Sequence, residues 1–415
     1  MKPSVSHEIS PLRSSQFRWL FGSNMAFFFA MGSQGVVRAW LAFDLTRSEL
    51  ALGAVMVAIA VPMFFIAPLG GVVSDRMDRR TLIIIGQSLV LLSELVIALL
   101  VLFDLVQFWH LLCGAVLMGC VFPFIMPART AIVVNIVGKF GLGRAFGINM
   151  AGMNTTRIIG PAAAGFLIDA VGVATTYFLG VLLFGVGILC MFRVAGAPVS
   201  DHAGRASVGR SIIDGFVYVQ KNRLVLILLL FGLIPMFLAM PFQNLLVVFA
   251  EKVWDVGSKG LGILSALGGA GGVAGSVWVA SIGNTKRRLG WMMVSMTLFG
   301  GFLLAFAFSP RFVPALPFVF MASIFASIFA TFNNTAIQLI IPDHIRGRIS
   351  SFLMMSFSLP LLGTFPVAAL AEVYGAPLAV GSASLMAMTV AFLFFFFSTS
   401  LRKMNANVEA AMTVD

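Results

Sequence analysis

Four charged side chains interrupt the long apolar runs of this sequence: Arg38, Glu94, Arg129 and Arg157. A charge in such a run costs at least ~2.5 kcal/mol in a membrane, so each must face a partner or a cavity. Glu94 is the sole acidic residue well inside a run. A carboxyl in apolar surroundings can hold and release a proton in the physiological range, which makes Glu94 a candidate proton site. The alternative is a structural ion pair with Arg38 or Arg157. Asp44 is a second proton candidate, at a rim position where solvent is the competing environment. Arg38 follows Gln34 by four residues and shares its helix face. Its guanidinium can bind an anionic group, hold a carboxylate ionised, or be held by backbone carbonyls. Amides complete the polar set: Gln243, Asn244, Asn333, Asn334 and Gln338. They can orient a ligand against apolar walls or bond neighbouring helices to each other.

Other chemistries lack their residues. The three Cys lie in apolar runs without metal-ligand spacing. The four His fall near run ends or in connections. The sequence has no Gly-x-x-x-x-Gly-Lys-Ser/Thr loop for a nucleotide. No nucleophile and base sit together as an enzyme would need. No cofactor and no metal are expected, so an ion gradient or a solute gradient must supply the energy. One proton falling through about 150 mV supplies roughly 3.4 kcal/mol.

The elements that position these residues follow from composition. Of 415 residues, 60% are apolar and only 10% charged, against about 25% charged in a soluble domain. That excludes a soluble globule and a disordered regulator. Continuous apolar runs such as 82–103 and 378–397 exclude the alternating pattern of a membrane barrel. Twelve helices are predicted, over 17–43, 50–74, 81–104, 108–137, 143–170, 173–194, 221–250, 257–283, 289–309, 312–341, 347–374 and 376–400. No cleavable signal peptide is read at the N-terminus.

Charge orients the bundle. With the N-terminus cytoplasmic, cytoplasmic segments hold 20 of the 27 Lys and Arg, and the opposite face holds four. This is a positive-inside pattern. Both termini are therefore expected in the cytoplasm and the protein in the cytoplasmic (inner) membrane. The net charge of +11 is then mostly topology rather than a nucleic-acid signal. A connection over 195–220, with a surface helix predicted over 211–222, divides the chain into six-helix bundles at 1–194 and 221–415. The halves repeat weakly: Gly143-Arg144-Ala145 matches Gly347-Arg348-Ile349. The fold class is an all-α integral membrane protein with twelve transmembrane helices in two pseudo-symmetric six-helix bundles, the layout of a secondary transporter.

Motifs narrow this further. The 2–3 connection holds Gly71, Asp75, Arg76, Asp78, Arg79 and Arg80. It resembles the major facilitator superfamily signature Gly-x-x-x-Asp-Arg-x-Gly-Arg-Arg, with Asp78 in place of a glycine. Span five carries Gly147, Thr156, Gly160, Pro161 and Gly165, similar to an exporter-associated motif of that superfamily in which Thr156 and Ala164 replace glycines. Span eight has its own stripe at Gly268, Gly269, Gly271, Gly272 and Gly275. With the stretches around Trp40, Pro127-Ala-Arg129, Asp214-Gly215 and Pro342 to Arg348, the chain resembles the branch of enterobactin exporters and macrolide efflux proteins from about Phe17 to Arg402.

That resemblance implies alternating access and proton-coupled export. It implies a cavity lined by spans one, four, seven and ten, with Gln34, Arg38, Trp40, Gln243, Asn244, Asn333, Asn334 and Gln338 on its wall. It implies contact between spans five and eight. It implies a cytoplasmic latch or gate built from Gly71, Asp75, Arg76, Arg79, Arg80, Arg346 and Arg348, with Arg129, Arg157, Gly160 and Pro161 in gating or structural roles. The expected partners are a small amphipathic substrate, protons and membrane lipid, with no nucleic acid and a monomeric state. An importer or facilitator of a small organic anion bound through Arg38 is the alternative. A membrane sensor or lipid-modifying protein is the alternative from another class.

Overall fold

The structure is a computed structural model. It describes residues 11–137, 142–196, 217, 219–282, 285, 287–340, 358–402, 404 and 405. Among these residues ten helices are long and apolar enough to cross a membrane. In chain order we label α1 Ser15–Thr46, α2 Glu49–Arg76, α3 Arg79–Leu102 and α4 Phe108–Val137. The helical run Leu142–Phe192 turns at Gly172, where φ is 82° and ψ is 169°, a conformation suited to glycine. We label its pieces α5 (142–171) and α6 (173–192). Then come α7 Arg223–Val253, α8 Gly257–Ile282, α9 Arg288–Ala307 and α10 Phe312–Ile340. A shorter apolar helix, α11 Leu359–Tyr374, turns at Gly375 (φ 86°) into α12 Ala376–Phe397. The surface helix expected over 211–222 lies mostly outside the described residues.

Local chemistry sets the helix ends. Ser14 accepts a hydrogen bond from the Phe17 N–H, and Asn222 accepts one from Val225 at 3.3 Å. Asp78 accepts from the Thr81 N–H at 2.9 Å and from its hydroxyl at 2.7 Å. The residue that departs from the superfamily signature therefore caps α3, satisfying an otherwise orphaned donor.

α7 is the irregular span. Its regular part ends at Ile234, and Pro235–Ala239 form a π turn. Met240–Leu245 are 3-10, and a second π turn covers Phe249–Val253. Pro235 and Pro241 supply no N–H to the ladder, so the helix must rearrange around them.

Two seams join the halves. On the first, α5 meets α8: a Cβ on Gly262 would lie 2.9 Å from the Ala162 carbonyl oxygen, and one on Gly269 would lie 3.0 Å from that of Arg157. On the second, α2 meets α11: a Cβ on Gly53 would lie 2.9 Å from Phe365 Cα. Side chains are excluded at these points so that backbones can approach. The stripe on α8 is shared, because Gly271 and Gly275 pack on α10 at Phe320 and Ile324 instead of α5.

Among the described residues the first seam is closed at one end only. Gly147 and Gly165 are five turns apart on one face of α5. Gly165 presses on Gly262 and Ser258, whereas Gly147 has nothing within 4 Å of a Cβ position. The closed end is the one that bears the α1–α2 and α7–α8 connections. Polar links cross between the halves there. Lys252 Nζ contacts Glu49 Oε1 at 2.8 Å. Glu372 Oε2 accepts from the Ser48 hydroxyl at 2.9 Å and the Leu50 N–H at 3.1 Å. Lys259 lies 3.8 Å from Asp169.

Candidate functional site

Arg38 on α1 is ion-paired with Glu94 on α3, and both are buried. Tyr177 of α6, wholly buried, stands beside the same guanidinium. One turn earlier, Gln34 Nε2 donates to the Tyr177 carbonyl at 3.0 Å. Gly180 makes room for it, since a Cβ there would lie 2.8 Å from Gln34 Cδ. The shared face of Gln34 and Arg38 is thus turned to α3 and α6, inside the N-terminal half. The superfamily resemblance put these two residues on the central cavity wall; the structure packs them behind it. Of the alternatives open for Glu94, a contact with Arg38 is present, and Arg157 takes no part in it.

A second polar cluster joins α1, α4 and α5. Arg129 donates to Asn24 Oδ1, and Asn24 Nδ2 donates to Asn149 Oδ1 at 2.9 Å. The guanidinium lies over Phe27, 4.4 Å from the ring centroid, a cation–π arrangement. Arg129 is only 3% exposed, and its Nε and Nη2 make no hydrogen bond among the described residues.

Arg157 stands midway along α5 and is exposed. Its face is the informative point. Ala164 and Ile168 follow it by seven and eleven residues on the same side, and both are buried. Phe166 and Ile159 are exposed on the opposite side. Arg157 therefore points inward, next to the last described contact of the first seam, and has no ion pair among the described residues.

The C-terminal half contributes amides. Asn333 on α10 is buried against Gly232 of α7, with Oδ1 unpartnered. Asn334 beside it is exposed. Together they line a cavity with Pro235, Met236 and Met240 from the irregular stretch of α7. Asn244 Nδ2 donates to the Thr364 hydroxyl of α11 at 2.8 Å, and Gln243 is exposed. Trp40 packs half-buried on the main core. The side chain of Gln338 is outside the described residues.

At the terminus-bearing end, Arg79 donates to Asn135 Oδ1 of α4 at 2.7 Å. Arg80 donates to the Phe192 carbonyl of α6 at 2.8 Å. These contacts lie within the N-terminal half. Arg76 is exposed at the end of α2. Arg346, Arg348 and the side chain of Asp75 are outside the described residues, as are the surroundings of Gly71. Gly160 faces α1, where a Cβ would lie 3.0 Å from the Phe29 carbonyl oxygen, and Pro161 packs against Gly32. Asp44 is exposed at the end of α1 beside Arg47.

A family model described as "Transmembrane secretion effector" matches residues 6–414. The chain belongs to this family of the major facilitator superfamily. This transporter is 23% identical to the staphyloferrin A transporter of Staphylococcus aureus over 93% of its own length and 97% of that protein's. It is 28% identical to the quinolone resistance protein NorA of Staphylococcus aureus over 35% of its length and 37% of NorA. Among solved structures, a single-site variant of the nucleoside transporter NupG superposes with a TM-score of 0.79 at 14% identity, covering 92% of this chain and all of that one. The relatives are membrane transporters rather than enzymes. The transporter's Asn149 and Tyr177 were not among the residues singled out from sequence, although each is a polar break in an apolar run.

Proposed function

We propose that this multi-pass transporter is a proton-coupled exporter of a small amphipathic compound, working by alternating access. The observation that carries the reading is the first seam, closed at Gly165 and apart at Gly147. With both termini in the cytoplasm, as the basic residues favour, that geometry is an inward-open state ready to load substrate. Rocking of one half on the other would then expose the site to the far side. The inner wall is α5 around Arg157 facing the irregular part of α7 and the Asn333–Asn334 pair. Glu94 is the proton site of the proposal, releasing or clamping Arg38 as it titrates. Monomers suffice, since each chain holds both halves.

Purified protein in proteoliposomes tests this with the two compounds that the relatives' names suggest, a quinolone and staphyloferrin A. Accumulation of either that rises when an inward-acid pH gradient is imposed supports antiport. Transport indifferent to the gradient removes the proton coupling.

A further inference from the structure

We infer that the transported compound is an organic anion with an apolar body, its negative group received by Arg157 rather than Arg38. This rests on the reading of the space between the halves as the transport path. In the described spans, charge is distributed very unequally. Helices α7 to α12 carry charged residues only near their ends, at Arg223, Glu251, Lys252, Lys259, Arg288 and Glu372. The deep charges all belong to the N-terminal half. One of them, Arg38, is neutralised by Glu94. Arg129 and Arg157 have no carboxylate partner among the described residues.

The uncompensated guanidinium of Arg129, buried in low dielectric, creates a positive potential that water and salt screen poorly, and the exposed Arg157 adds a second positive charge. Arg129 is buried and held by an amide and an aromatic face, so it supplies field without reaching a ligand. Arg157 is inward-pointing and exposed, so it can. It lies two turns from Asn149, about 12 Å along the axis of α5, and Asn149 is the amide joined to Arg129 through Asn24. In the other half Met236, Met240 and Asn334 line a cavity that offers an adaptable apolar wall with one amide. A positive pole in one half and an uncharged wall in the other select a molecule with one anionic end and an apolar remainder. A cationic compound would meet repulsion at Arg157 and no carboxylate deep within the described spans of the facing half.

Two xanthene dyes of similar shape and opposite charge test this: carboxyfluorescein and rhodamine 6G. Equilibrium dialysis on the detergent-purified protein should show carboxyfluorescein bound about tenfold or more tightly than rhodamine 6G. Arg157→Gln should weaken carboxyfluorescein binding about tenfold, and Arg157→Lys should keep most of it. Gel filtration confirms that the variants remain folded. Equal or tighter binding of rhodamine 6G, binding of neither dye, or an unchanged Arg157→Gln overturns the inference. Flux separates this from the transport reading. Rhodamine 6G driven by a pH gradient would keep the exporter and overturn the anion. Carboxyfluorescein bound tightly but moved without regard to the gradient would do the reverse for proton coupling.

Discussion

The guanidinium of Arg38 in α1 is ion-paired with the carboxylate of Glu94 in α3, and both side chains are shut away from solvent. Removing one partner strands a buried charge. Glu94→Ala should therefore lower stability by about 3–5 kcal/mol, read as a fall in Tm in detergent. Replacing both, as Arg38→Leu with Glu94→Leu, should restore Tm close to that of the unaltered chain, because the two desolvation penalties vanish together. The same double variant should still move substrate down its gradient but lose its response to an imposed pH gradient. A retained response would assign the pair to architecture alone.

Asn24 is the one hydrogen-bonding side chain described at the Arg129 guanidinium, and it also holds Asn149. Asn24→Ala removes both links at once and leaves a donor on α4, at Arg129, and an acceptor on α5, at Asn149, unpaired. A loss of about 1–3 kcal/mol is expected, toward the upper end because one group is charged. Asn24→Asp should behave oppositely in the assay of anion binding. A carboxylate beside Arg129 neutralises part of the interior field, so carboxyfluorescein affinity should fall although the fold is kept.

The spans were legible in the sequence because lipid demands unbroken apolar runs, and their ends fall within a few residues of the helices described, except the start of span eleven at 347, which lies outside the described residues. The turn at Gly172 lay where spans five and six were divided. Which neighbour covers a given helix face was not legible. The spacing of Gln34 and Arg38 shows that they share a face, but only the packed bundle shows that Gly180 and Tyr177 lie against it. The same blindness applied to the stripe on α8, whose glycines looked alike yet divide between α5 and α10. Span seven was expected simply as a helix over 221–250, and the π and 3-10 turns around Pro235 and Pro241 were not foreseen.

Gly262 is a test of the closed seam. A Cβ there would lie 3.1 Å from Gly165 Cα and 2.9 Å from the Ala162 carbonyl oxygen, backbone atoms that cannot swing aside. Gly262→Val should hold α5 and α8 apart at this end and disfavour the conformation described. Spin labels at the outer ends of the two helices should report a longer mean separation, and transport should fall because one of two alternating states is lost. Gly272→Val, at a position with open space around it, should leave both readouts unchanged.

The polar links across the closed end should set how readily it opens. Lys252 reaches from α7 to Glu49, and Glu372 from α11 takes two hydrogen bonds from the start of α2. Lys252 and Glu372 are exposed although Glu49 is buried, so each link is worth on the order of 1 kcal/mol. Loss of both, in Lys252→Met with Glu372→Gln, should shift the equilibrium toward the outward-opened state by a factor of about 5–30. Ala368 reports on it, because it is buried against Gly53 in the second seam. With Cys113, Cys120 and Cys190 replaced by Ser, Ala368→Cys should react slowly with a membrane-impermeant maleimide. It should react several-fold faster once the two links are removed. An unchanged labelling rate would mean that apolar contact alone, through Gly53 and Phe365, keeps this end shut.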